Sequence, residues 1–346
     1  MHGGDIYRNN ISHDFSVNIN PLGIPESVKM ALHDAVELSI HYPDIRSDAL
    51  VSDLAEKLAI KKDKILLGNG ASELFTAVMM HLRPARTLIA TPSFSGYRRS
   101  AIAAGSEIVD FELKSEEDFA ITERFIDTLS ASEDIDAVII ANPNNPTGKL
   151  IEKKLIERIV KCCQIKGIKV ILDECFMVLS GQYDGHSMID MTDRYQNLLI
   201  VRSFTKTYAI PGVRLGYLIC SDKELMKGIA EAIPEWNISC FAEKAGVAAL
   251  KEETYVKESV GLIAKERKWL SDRLAGCGFK VVASDADFIL FYTEVPLYEM
   301  LLKKRILIRD CSNFEGLGKG WYRIAVKKHD ENKILMERIE EALNGA

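Results

Sequence analysis

The chain has 346 residues, 47% of them hydrophobic and 27% charged, with a formal net charge of −6. That balance is ordinary for a folded globular protein and excludes extensive disorder. The acidic excess excludes a general attraction to nucleic acid or an anionic membrane.

The opening stretch MHGGDIYRNNISHDF lacks the apolar core of a signal peptide, and no apolar run approaches the ~20 residues that span a bilayer. A cytoplasmic protein is expected. Seven scattered cysteines, with no CxxC or Cys/His ligand spacing, indicate neither a disulfide framework nor a metal site.

In chain order, residues 1–40 lack a complete layer of their own and are expected to pack on a small domain and cross an active site. From about residue 65 to 220 short apolar runs alternate with helical patterns: TLIA at 87–90, AVIIA at 137–141, KVILD at 169–173, LLIV at 198–201 and LGYLIC at 215–220. Continuous apolar runs flanked by helices predict strands buried on both faces, hence a mainly parallel sheet in an α/β domain over 41–235. Leu155, Ile156, Ile159, Val160 and Cys163 recur at helical spacing before Gly167, which predicts a crossover helix. Past Trp236 a helical stretch from about Phe241 to Leu274 precedes strand-like FKVVA, FILFYT, ILIRD and YRIAV and a terminal helix from about Asp330. This order predicts a smaller α+β domain over 236–346.

Four polar clusters fall at predicted strand ends, where open α/β sheets collect ligands. GNGASELF (68–75) is a glycine turn feeding a helix whose free N–H groups suit an anion, although a structural turn capped by Ser72 accounts for it equally well. ANPNNPTG (141–148) ends a strand with prolines, and its asparagine amides serve either backbone or ligand. In ILDECF, Asp173 and Glu174 end an apolar strand, where a carboxylate needs a cation, a helix terminus or a protonated ligand nitrogen. SFTKTYAIPGVRLGY (203–217) sets Lys206 among Ser203, Thr205 and Thr207 with Arg214 following. Hydroxyls and an arginine suit a phosphate, and their positive charge favours the neutral amine that covalent catalysis by a lysine requires. An exposed loop with a surface lysine is the plainer alternative.

Together and in this order, GNGASE, NPNNPTG, DECF and SFTKTYAIPGVRLGY resemble the fold-type-I pyridoxal-phosphate enzymes of the aminotransferase class, which includes the histidinol-phosphate aminotransferases. The resemblance covers nearly the whole chain and implies an α/β large domain, a smaller α+β domain and pyridoxal 5'-phosphate as cofactor. It also implies roles. Lys206 would link covalently to the cofactor and then move protons at the substrate carbon. Asp173 would pair with the pyridine nitrogen, Asn145 would bond the phenolic oxygen, and Phe94 would stack on the ring. Ser203, Thr205, Arg214 and the backbone of Ala71 and Ser72 would hold the phosphate. Tyr42 in HYPD would reach the cofactor phosphate of a neighbouring subunit, so a homodimer with interface active sites is implied. One departure stands out: many members carry DExY, whereas this chain has Phe176, which cannot make the phenol's hydrogen bond.

The initial HGG, DFSVNINPLG, Phe176, AIPGVRLGY, WNIS and ILIRDCSNFEGLG are more similar to the threonine-phosphate decarboxylases of the cobalamin pathway. That implies L-threonine O-3-phosphate as substrate and (R)-1-amino-2-propanol phosphate and carbon dioxide as products. A PLP-dependent aminotransferase acting on histidinol phosphate or another amino acid is the alternative, because both reactions begin from the same cofactor adduct and differ in which bond is aligned for cleavage. By the same analogy Arg309 and Arg323 would take the substrate's carboxylate or phosphate, and Asn20, His2 and Gly3 would line the substrate site. A silent cofactor-binding regulator lacks support from any appended helix-turn-helix. A nicotinamide dehydrogenase needs a glycine fingerprint that GNGASE does not supply.

Overall fold

A computed structural model describes residues 3–344, so His2 lies outside the described residues. Seven strands form the central sheet: β1 (Ile65–Gly68), β2 (Arg86–Thr91), β3 (Glu107–Glu112), β4 (Ala137–Ala141), β5 (Lys169–Asp173), β6 (Leu198–Ser203) and β7 (Gly216–Ile219). Their order is β1-β7-β6-β5-β4-β2-β3. The five strands from β6 to β3 pair in parallel, and β7 runs antiparallel to both of its neighbours.

The period-two alternation of a strand distributes the apolar runs to two cores. Val138 and Ile140 of β4 and Val170 and Leu172 of β5 join the core on one face, while Ile139 and Ile171 join the other. Both faces are therefore covered, as the continuous apolar runs predict. Between β4 and β5 the helix Lys153–Ile165 buries Ile156, Ile159, Val160 and Cys163, and Gly167 follows at φ +74°. Each such buried aliphatic side chain contributes about 1.5–3 kcal/mol.

The second sheet has four antiparallel strands, β8 (Lys280–Val281), β9 (Phe288–Tyr292), β10 (Arg309–Asp310) and β11 (Trp321–Ala325), in the order β10-β11-β9-β8. Ile289 and Phe291 pack with Leu335, Met336 and Ile339 of the terminal helix His329–Asn344. Here the sequence reading needs three corrections. FKVVA forms only the two-residue β8. ILIRD is split: Ile306–Leu307 pairs in parallel with His13–Asp14, and only Arg309–Asp310 joins the four-stranded sheet. The stretch 241–274 is two helices, Cys240–Leu250 and Glu253–Gly276.

The N-terminal residues are tied in by backbone bonds. Phe15 donates to Leu307 O at 2.7 Å and accepts from Ala325 N at 2.8 Å. This anchoring delivers Ser16, Val17 and Asn18 to the cleft between the two sheets. All seven cysteines are free thiols. Among the described residues no helix is long and apolar enough to cross a membrane, and no cluster of His, Cys, Asp and Glu is placed to hold a metal ion.

Candidate active site

A cavity of about 230 Å³ opens at the carboxyl ends of the parallel strands, where ligands of open α/β sheets collect. Five strand exits contribute walls: Ala71 and Ser72 after β1, Phe94 and Tyr97 after β2, Asn145 after β4, Asp173 and Phe176 at the end of β5, and Ser203, Thr205 and Lys206 at the end of β6. Arg214 precedes β7, and Arg309 and Arg323 face the cavity from the small sheet. Gly3, Ser16 and Asn18 close it from the N-terminal side.

Asp173 is buried and held by two donors. Its Oδ1 accepts from Cys175 N at 2.8 Å and its Oδ2 from the Tyr97 hydroxyl. Burial pushes its carboxyl above the usual aspartate value, against the pull of those donors and of the Lys206 charge. Burial, and then the Asp173 charge, push the Tyr97 phenol well above its ordinary value.

Burial lowers the Lys206 pKa; Arg323 and Arg214 act in the same direction, whereas Asp287 and Cys175 oppose them. Its Nζ lies 5.9 Å from the centroid of the Phe176 ring, which packs edge-on against Phe288 with centroids 5.1 Å apart. Phe176 thus presents an apolar surface to the amine.

The hydroxyls of Ser203 and Thr205 lie 2.5 Å apart, and Thr205 N donates to Ser203 Oγ at 3.1 Å. Arg214, at φ +62°, lays its guanidinium against Gly70, where an added Cβ would collide with it. The helix that starts at Ala71 has Gly70 as its N-cap, and Asn69 N is satisfied by the Glu73 carboxylate at 2.6 Å. Ser72 is therefore not the cap. Two hydroxyls, a guanidinium and a helix N-terminus around a side-chain-free glycine form a phosphate-sized cradle.

The antiparallel register sets Arg309 directly opposite Arg323. Like charges in that position repel, and burial lowers the Arg323 pKa to about 10. Arg323 donates to Asn145 Oδ1 and, at 2.8 Å, to Ser16 O, while its buried Nε has no partner. Arg309 donates to Asp310 O and, at 2.7 Å, to Asn313 Oδ1. An anion between the two guanidinium groups would relieve their repulsion.

Not every expected residue is here. Asn20 does not line the cavity: its Nδ2 donates to Thr207 O and Ser259 Oγ at 2.8 and 2.6 Å, and its Oδ1 accepts from Leu22 N. Its backbone N donates to Lys206 O at 3.1 Å, so it braces the lysine's turn instead of meeting substrate. Two residues earlier, Asn18 does line the cavity and its buried Oδ1 lacks a partner. Tyr42 is 81% exposed and lies against Trp236 with the rings tilted by 38° and their centroids 4.8 Å apart, outside its own chain's cavity. Tyr97, Asn18 and the buried Asp287 escaped the sequence reading. The only signal for Asp287 was an acid immediately before the apolar run FILF.

A larger, mainly apolar cavity of about 570 Å³ lies behind this site and shares Cys175 and Ser203 with it. The buried pair Arg202–Glu174 lies in its wall, and Lys206 and Asp173 do not reach it.

The family profile of class I and II aminotransferases matches residues 11–339, and the chain belongs to that family. Two named activities recur among its relatives. Threonine-phosphate decarboxylase of Salmonella typhimurium is 34% identical over 96% of this chain and 91% of its own length. Histidinol-phosphate aminotransferase of Desulfitobacterium hafniense is 31% identical over 94% of this chain and 90% of its own. Among solved structures, the histidinol-phosphate aminotransferase of Clostridium acetobutylicum superposes with a TM-score of 0.90 at 36% identity, covering 96% of this chain and all of that one.

Proposed function

We propose that the protein is a pyridoxal 5'-phosphate-dependent decarboxylase of L-threonine O-3-phosphate, releasing carbon dioxide and phosphorylated aminopropanol. The observation that carries this reading is the facing pair Arg309 and Arg323 in the cavity that holds Lys206: a substrate with a carboxylate and a phosphate supplies an anion for each guanidinium. The likeness to named threonine-phosphate decarboxylases supports it.

The donor set fits the cofactor. Ser203, Thr205, Arg214 and the N–H groups of Ala71 and Ser72 would hold its phosphate. Asp173, fixed by Tyr97 and Cys175, would pair with the ring nitrogen and favour its protonated form. Asn145 would bond the ring oxygen, and Phe94 would stack on the ring. When bound, the cofactor supplies an electron sink for the pair left at the substrate carbon.

The chain's residues do the rest. Lys206 would anchor the cofactor through Nζ and supply the proton that the substrate carbon needs. Arg309 and Arg323 grip the substrate's anions and thereby set which bond is presented for cleavage. Phe176 keeps water from the amine and adds no phenol that would compete for its proton.

In the dimer this reading implies, Tyr42 reaches the cofactor phosphate of a second copy; its exposure and that of Ile40 and Ile45 beside it suit an interface. The assembly is a cytoplasmic homodimer acting on a small phosphorylated amino acid.

The test is product analysis. Protein loaded with pyridoxal 5'-phosphate is incubated with L-threonine O-3-phosphate, and in parallel with histidinol phosphate plus 2-oxoglutarate. Stoichiometric carbon dioxide without glutamate is expected. Glutamate without carbon dioxide would assign the chain to the aminotransferases, the second reading, which its 36% identity to a solved histidinol-phosphate aminotransferase favours.

Asp173→Asn should lower kcat by about 10²–10³-fold, the scale of losing one preorganised electrostatic partner, without altering the far-UV spectrum. Near-normal turnover would remove Asp173 from the mechanism.

A further inference from the structure

The turn that precedes β9 carries an acid that the reading above does not use. Asp287 is fully buried, and neither carboxylate oxygen has a hydrogen-bond partner. An ionised carboxylate without donors is expensive in a protein interior and survives only where nearby positive charge holds it.

The backbone fixes that turn from three sides. Asp287 O accepts from Val326 N at 2.8 Å beyond β11, and Asp285 N donates to Gly148 O at 2.8 Å in the loop that carries Asn145. Arg267 of the helix Glu253–Gly276 donates to the carbonyls of Asp285 and Ala286, both at 2.9 Å. Ala286 and Phe288 pack against Cys175 and Phe176. Asp287 thus sits between two residues packed on Cys175 and Phe176, which line the cavity that holds Lys206.

The charges acting on Asp287 are those of Lys206, then Arg323, then Arg267. Those acting on Lys206 are Asp287, Arg323 and Arg214, the Cys175 thiol being kept neutral by its burial, and Lys206 in turn acts on Asp173. Asp173 already has two donors. No other residue donates to Asp287, so beyond its own backbone N–H the groups that favour its charged form are the cations, Lys206 first.

We propose that Asp287 is a positioning residue for the reaction, an internal counter-charge that holds the proton on the Lys206 amine. Charged, it favours the ammonium form; protonated, it releases that hold. No covalent step is involved, only the protonation balance of a half-buried amine and a buried carboxyl. Consistent with this, burial raises the Asp287 pKa to about 6, with Lys206 the strongest of the charges that oppose the rise. The proton donor required at the substrate carbon is then kept loaded by a residue that touches neither substrate nor cofactor. The inference deepens the reading above and rests on it for the reaction, but its test does not.

The experiment compares the full chain with Asp287→Asn, which conserves volume, and with Asp287→Ala as a second charge-free variant. In cofactor-loaded protein the pH titration of the lysine-linked visible absorption band gives the midpoint of the Lys206 nitrogen. Removing the counter-charge should lower that midpoint by about one pH unit or more. Should no band form with pyridoxal 5'-phosphate, the functional reading fails on its own. Competitive acylation of the cofactor-free chain, followed at Lys206 by mass spectrometry across pH, then reads the same shift.

Thermal melting provides a second readout. A carboxyl whose pKa is raised on folding favours the folded state below the ordinary aspartate range and loses that contribution as pH rises through about 6. The melting temperature of Asp287→Asn relative to wild type should therefore climb across that window. A purely structural acid would give the melting trend alone. An unchanged Lys206 midpoint in a folded charge-free variant would overturn the proposal.

Discussion

Replacing Lys206 with alanine is expected to lower turnover by about 10⁴-fold or more while the fold persists. The two halves of that expectation have separate causes. Nζ shares its cavity with the hydroxyls of Ser203 and Thr205 and with Arg214, Arg309 and Arg323, so in the proposed reaction its loss would remove both the cofactor's attachment point and the proton donor. Lys206 is half-buried in the cavity, and the desolvation of its amine opposes its charge. Deleting it therefore relieves a desolvation cost, and the variant should melt within a few degrees of wild type. The assay is carbon dioxide release with L-threonine O-3-phosphate beside a calorimetric scan. Residual activity within tenfold of wild type would show that the reaction does not pass through this lysine.

Glu174→Ala should be the most damaging single change to stability, costing about 3–5 kcal/mol. The Glu174 and Arg202 side chains are 0% and 2% exposed, and they meet through Arg202 Nε and Nη2 at 3.0 and 2.5 Å from Glu174 Oε2. Ser187 Oγ and Met188 N also donate to Glu174, at 3.0 and 2.8 Å, so the carboxylate is fully satisfied. Burial works against the Arg202 charge, yet Glu174, with Tyr217 and Tyr183, holds its pKa above the ordinary arginine value. The alanine variant would leave that guanidinium buried without a counter-charge, with the Ser187 hydroxyl at 2.8 Å as its remaining hydrogen-bond acceptor. Urea denaturation measures the loss, and the double change Glu174→Ala with Arg202→Met should recover much of it, because an apolar pair is tolerated where a lone charge is not. A Glu174→Ala loss below about 1 kcal/mol would mean that the guanidinium finds water or another acceptor.

Much of this architecture could be read from particular residues. β4 and β5 were legible to the residue because AVIIA and KVILD are buried on both faces and end in turn-forming or charged groups. β3 was not, since EIVDFE lies at the sheet edge, where exposed Glu107, Asp110 and Glu112 interrupt the apolar signal. The division of Ile306–Asp310 between two sheets depends on what the N-terminal residues pair with, which local pattern cannot encode.

The site divides in the same manner. Lys206, Asp173, Arg214 and the hydroxyls stood out because their spacing is tied to strand exits. Asn20 was misread because a polar side chain in VNINPLG serves equally well as brace or ligand, and only its filled hydrogen bonds decide between them. Asp287 became visible only through burial and missing partners, both properties of the folded chain.

The wiring of Arg323 bears on how such an enzyme changes its specificity. One guanidinium holds the loop at Asn145 and the N-terminal backbone at Ser16, so a substitution there alters three distant stretches of sequence at once. Arg309 spends its donors within its own turn, on Asp310 and Asn313. Laboratory evolution toward a differently charged amino acid should therefore accumulate changes at 309 first and reach 323 only after the N-terminal segment has acquired another tether.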